Sequence, residues 1–168
     1  MRNLLLSILL MSLVSGCGKS WSDKDLVFVN VDQANALYAQ HDGTWLKPAG
    51  PNVWVDARNA KTYALGHVPG ALNLPLRNVD TQWVRLQGHG TVIVYAATFN
   101  DPIADAQSKA LLEKGIANVK TLIGGWKAWT ESGGKIERGP DPGLVENETV
   151  ESQRLRRKQE RGNKPTYQ

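Results

Sequence analysis

Short apolar runs alternate with amphipathic stretches along this chain, and the alternation predicts strands and helices in turn. Val27-Phe28-Val29 reads as a strand, and Asp32 is placed to cap a helix over 33–40. Residues 41–52 hold Gly43, Pro48, Gly50 and Pro51 and read as a loop that carries Trp45. Val53-Trp54-Val55 has no polar alternation, as expected of a strand buried on both faces, and it closes on Asp56. A short helix over 60–65 stops at Gly66, and His67-Val68-Pro69-Gly70 is a turn into a short strand over 71–74. Val79, Trp83 and Leu86 share one face of a helix over 78–86. A β-branched strand over 91–95 leads through a loop to a helix over 102–114, closed by Gly115. A strand over 118–122 and a helix entered through Gly124-Gly125 and running to Trp129 complete the pattern.

This order predicts an α/β fold with a mostly parallel central sheet and helices on both faces. Ligands of such sheets sit beyond the carboxyl ends of the strands, so the loop after Tyr95 is where a site is expected.

The ends of the chain change the picture. Arg2, an apolar run from Leu4 to Val14, and then Ser15 and Gly16 before Cys17 have the order of an export signal. The apolar run is too short for a membrane-spanning helix. From Pro140 onward apolar periodicity disappears, and Arg154, Arg156, Arg157, Lys158, Arg161 and Lys164 dominate. The chain thus divides into a signal peptide over 1–16, a mature terminus and linker over 17–25, a domain over 26–138 and a basic, disordered tail over 139–168. The net charge of +4 resides in the last part of that tail, over 151–168, where these six basic residues outnumber Glu151 and Glu160. The domain is near neutral and offers no basic face for nucleic acid. In the tail, basic side chains are available to anionic lipid. Cys17 is the single cysteine, which excludes intrachain disulfides and cysteine-based zinc clusters. No cofactor or metal is implied.

Four motifs now stand in order: Asp56-Ala57-Arg58, Gly66-His67-Val68-Pro69-Gly70-Ala71, the strand Val92-Ile93-Val94-Tyr95, and Gly124-Gly125-Trp126 with Trp129 beyond it. Together they resemble the rhodanese homology domain over roughly Asp32 to Gly133, with its Asp-x-Arg, its Gly-His-Ile-Pro-Gly-Ala turn and its terminal Gly-Gly motif. Val14-Ser15-Gly16-Cys17 resembles the bacterial lipobox. That resemblance implies a diacylglycerol on the thioether of Cys17 and an acyl group such as palmitate on its amine. The expected location is the cell envelope, lipid-anchored and facing the periplasm. Gly18, where aspartate would signal inner-membrane retention, favours the outer membrane.

The rhodanese resemblance implies a sulfurtransferase fold with a departure at its centre. In catalytic members the residue after the tyrosine is the nucleophilic cysteine; here it is Ala96. Inward backbone N–H groups and a following helix would favour a thiolate at that place, and alanine has none. The loop Ala96, Ala97, Thr98, Phe99, Asn100, Asp101 carries no Arg or Lys, and Asp101 and Asp105 lie at the positive end of the next helix. Asn100 or Asp101 is placed to cap that helix. Asp56, Arg58, His67 and Trp126 are expected to support the pocket. The chain therefore reads as a non-catalytic binding module, or pseudoenzyme, held at a membrane and meeting a protein partner at the vestigial loop. The competing reading is a sulfurtransferase-related enzyme that uses a partner's thiol or chemistry from Thr98, Asp101 or His67.

Overall fold

A computed structural model describes residues 20–40 and 50–143. The expectations for the export signal, Cys17, Trp45 and the tail from residue 144 onward lie outside the described residues.

The five strands are β1 (Phe28–Val29), β2 (Val53–Asp56), β3 (Leu72–Asn73), β4 (Val92–Tyr95) and β5 (Val119–Leu122). They form one sheet in the order β1-β5-β4-β2-β3, with each neighbouring pair parallel. The helices are α1 (Val31–Ala39), α2 (Ala60–Leu65), α3 (Val79–Gln82), α4 (Ile103–Glu113) and α5 (Gly125–Glu131).

Alternate residues of the central strands explain the layers. Val53, Val55, Val92 and Val94 pack with Val79 of α3 and with Ala104, Leu111 and Leu112 of α4. Trp54, Ile93, Tyr95 and Leu122 pack with Ala34 of α1, Tyr63 of α2 and Trp129 of α5. Every residue of β2 and β4 is buried, which is why these strands read as unbroken apolar runs.

Three expectations are corrected in detail. Asn30, not Asp32, caps α1: its side chain accepts the Gln33 N–H while the Gln33 side chain accepts the Asn30 N–H. The helix expected over 78–86 is broken, with α3 flanked by 3-10 turns at Leu76–Asn78 and Trp83–Leu86. The domain also continues past residue 138. Gly139 N–H donates to the Ala64 carbonyl, and Asp141 is buried, accepting from Asn73 N–H at 2.6 Å and from Arg85 Nη2 at 2.6 Å. This strap crosses the carboxyl end of β3.

Candidate functional site

Because the strands are parallel, Asp56, Tyr95 and Leu122 end on the same edge of the sheet. The segments that leave them meet there. Tyr95 leads into the loop 96–101, Asp56 into Ala57-Arg58, and Leu122 into Gly124-Gly125 and α5.

The loop is held from beneath by backbone contacts. Ala96 is buried at the end of β4, and its carbonyl accepts the Trp126 N–H at 2.8 Å. The Ala97 carbonyl accepts the Lys127 N–H at 3.0 Å. The first turn of α5 thus spends two of its free donors on the loop. Gly125 makes the approach possible: it has φ +56°, and a Cβ there would stand 2.4 Å from the Ala96 oxygen.

Asp101 closes the loop on itself. Its Oδ2 accepts the Ala97 N–H at 3.1 Å, and its Oδ1 accepts the Ile103 N–H at 3.1 Å. Of the two expected caps of α4, Asp101 is the one that bonds the helix. The loop's own carboxylate takes two donors that an oxyanion would otherwise need. Asp105, on the first turn of α4, has its carboxyl pKa raised by burial and by the charge of Asp23. A second anion brought to this place meets like charge.

Below the loop lies a buried ion pair. Arg58 Nη2 is 2.5 Å from Asp56 Oδ2, and the Arg58 backbone N–H also donates to Asp56 Oδ1 at 2.9 Å. Burial opposes the guanidinium charge, but the hydrogen bonds and attraction of Asp56 outweigh it and raise the Arg58 pKa. Arg58 also donates to the Gly66 carbonyl at 2.7 Å and lies 4.7 Å from the centre of the Trp126 ring. Trp126 in turn stacks over Tyr95 at 6.5 Å. Tyr95 is fully buried, and its hydroxyl accepts the Val68 N–H. Burial, and then the charge of Asp56, push its phenol pKa upward. The structure therefore joins three of the four expected supporting residues, Asp56, Arg58 and Trp126, through Tyr95.

His67 belongs elsewhere. Its ring stacks on Tyr63 at 3.7 Å, its Nδ1 lies 3.0 Å from the Tyr63 carbonyl, and its backbone bridges to Glu137. It organises the turn rather than the loop. Thr98, Phe99 and Asn100 are exposed at the loop's tip.

Beside that tip is a pocket of about 370 Å³ lined in part by Phe28, Thr98, Phe99, Asp101, Asp105 and Ile123. Its exposed apolar members project from the loop itself, from β1 and from the turn after β5. Phe28 and Ile123 were not expected at the site, because only the strand order brings β1 beside β5. Asn73 was also missed. Its Nδ2 donates to the carbonyls of Asp56 and Arg58, tying the ion pair to β3.

Comparisons with known proteins agree with this architecture. Residues 34–132 match the family model for the rhodanese-like domain. The chain is 31% identical over 115 residues to thiosulfate sulfurtransferase YnjE of Escherichia coli K12, a match covering 57% of this chain and 26% of the relative. It is 30% identical over 128 residues to adenylyltransferase and sulfurtransferase MOCS3 of Anopheles gambiae, covering 69% of this chain and 29% of the relative. The chain thus spans less than a third of the length of either. Among solved structures, the BH2092 protein of Bacillus halodurans superposes with a TM-score of 0.55 at 23% identity, covering 79% of this chain and 91% of that one. A thiosulfate sulfurtransferase of Pseudomonas aeruginosa superposes with a TM-score of 0.54 at 22% identity, covering 68% of this chain and 20% of that one. At these identities the superpositions establish the fold. With the family model matching more than half of its length, the chain belongs to the rhodanese-like domain family.

Proposed function

We propose that this chain is a membrane-anchored, non-catalytic rhodanese-like module that binds a partner in the cell envelope through the face beyond its strand ends. One observation carries the reading: the residue after Tyr95 is a buried alanine, and the donors beside it are bonded to Asp101. By the family resemblance, a sulfur-bearing cysteine would stand at Ala96. A methyl group has no lone pair with which to attack a sulfane sulfur. The scaffold around it, including the Asp56–Arg58 pair, is otherwise intact, which is what a retained shape with a discarded reaction would leave.

The anchor rests on the sequence alone. Acyl groups on Cys17 would hold the domain at a membrane facing the periplasm, with the outer membrane favoured by Gly18. Metabolic labelling with a palmitate analogue tests this. Label is expected on the native chain and absent from Cys17→Ser.

The competing reading, sulfur transfer with a partner's thiol, draws on the two curated relatives, both named as sulfurtransferases. A thiosulfate:cyanide assay with the purified protein, with and without added dithiol, separates the two. No thiocyanate above blank is expected. Turnover in either condition overturns the non-catalytic reading.

A further inference from the structure

The pocket beside the loop is both apolar and acidic. Phe28, Phe99 and Ile123 remain 46%, 75% and 40% exposed around it. A cluster of exposed apolar side chains marks a binding surface more often than chance does. Its charged lining is acidic only: Asp101 and Asp105 line it, and no Lys or Arg does. Burial and the charge of Asp23 raise the Asp105 pKa against the pull of Lys109, so a further cation brought to it is favourable. The surface therefore fits an apolar side chain flanked by positive charge.

The chain carries such a segment. Beyond Gly143 the sequence passes Glu146, Glu148 and Glu151 before reaching Arg154-Leu155-Arg156-Arg157-Lys158. Gly143 is fixed beside Asp141 and Arg85 at the carboxyl end of β3. The pocket lies at the same edge of the sheet, beyond β5, with β2 and β4 between. Strands lie about 4.8 Å apart, so the crossing is roughly 15 Å. The stretch from Gly143 to Arg154 can span about 36 Å when extended. Reach is ample, and in the sequence Glu146, Glu148 and Glu151 all precede the basic segment.

We propose that residues 154–158 of this chain dock in the pocket, with Leu155 against Phe28, Phe99 and Ile123 and the flanking arginines on Asp101 and Asp105. The tail then acts as a tethered occupant of the face that the module uses for binding. A tether of this length holds its ligand at an effective concentration on the order of millimolar, so an external partner must compete with it. The inference deepens the binding-module reading, and the two fail separately: sulfur transfer would overturn that reading without altering where the tail sits.

Zero-length carbodiimide cross-linking of the full chain in detergent, mapped by mass spectrometry, tests the docking. The expected product is an amide from Lys158 to Asp101 or Asp105. Its yield should exceed that from Lys158 to Asp80, an exposed carboxylate beside Lys114 at the far end of α4, by on the order of tenfold or more. The yield should fall by a similar factor in high salt, in Arg154→Glu/Arg156→Glu and in Phe99→Ser. Uniform cross-linking, or yields unchanged in both variants, overturns the proposal. Equal mixtures of ¹⁵N-labelled and unlabelled chain must give isotopically pure products; hybrid products assign the contact to a second copy and overturn it. Loss of the product when phosphatidylglycerol vesicles are added assigns the tail to the lipid surface and likewise overturns it.

Discussion

The carboxylate of Asp101 lies 3.1 Å from the backbone nitrogen of Ala97 and, through its other oxygen, 3.1 Å from that of Ile103. A thiolate installed at Ala96 would have to share those donors with a charge already present. In Ala96→Cys we therefore expect little thiolate at neutral pH and slow reaction with thiosulfate. Adding Asp101→Ser frees the donors and removes the like charge. The double variant should form persulfide about tenfold faster, the effect of one pKa unit or so on the thiol. Cyanolysis of the protein-bound sulfane sulfur measures it, and equal rates in the two variants would contradict the role given to Asp101.

The Asp56–Arg58 pair is buried on both sides, at 0% and 6% exposure. Removing one partner leaves an uncompensated charge in the interior. Asp56→Ala should lower unfolding free energy by about 3–5 kcal/mol. The double variant Asp56→Ala/Arg58→Leu should recover part of that loss, because no charge is then left unpaired. Urea unfolding of the three proteins checks both statements.

Gly125 stands where neither its φ nor its surroundings accept a side chain. Gly125→Ala must move the Ala96 carbonyl or distort the first turn of α5, at a cost on the order of 2–4 kcal/mol. The change should appear as a lower Tm and as shifted amide resonances at Ala96, Ala97, Trp126 and Lys127.

Tyr63 and Tyr95 give the domain an alkaline limit. Burial raises both phenol pKa values, helped at Tyr63 by Asp141 and Glu137 and at Tyr95 by Asp56. Unfolded, each releases its proton near the ordinary value of 10.0; folded, each holds it beyond that pH. The unfolded state then binds fewer protons, so stability is whole below pH 10 and falls as pH rises past it. The slope should be about 1.4 kcal/mol per pH unit for each tyrosine. Tyr95→Phe should halve it, as read by denaturant unfolding across the alkaline range.

Much of the fold was legible in the sequence because β2 and β4 are apolar runs buried on both faces. The loop 96–101 was legible too, since a parallel sheet fixes the edge at which ligands sit. Local chemistry narrowed the cap of α4 to Asn100 or Asp101, and Asp101 makes the bond. What escaped was tertiary. His67 was expected in the pocket, yet a stack on Tyr63, one helical turn away, turns it toward Glu137. Asp141 sits in a stretch rich in Gly and Pro that reads as tail, and only the Asn73 N–H and Arg85 show that it is part of the fold. Phe28 and Ile123 join the site through strand order, which no local pattern carries.

The outermost strands, β1 and β3, are two residues long each. So few free backbone groups cannot template another chain, and growth of the sheet sideways is closed off. A domain crowded against its own kind is thereby guarded from edge-to-edge association. Whatever approaches it is left to recognition by side chains, and not by backbone pairing along the margins.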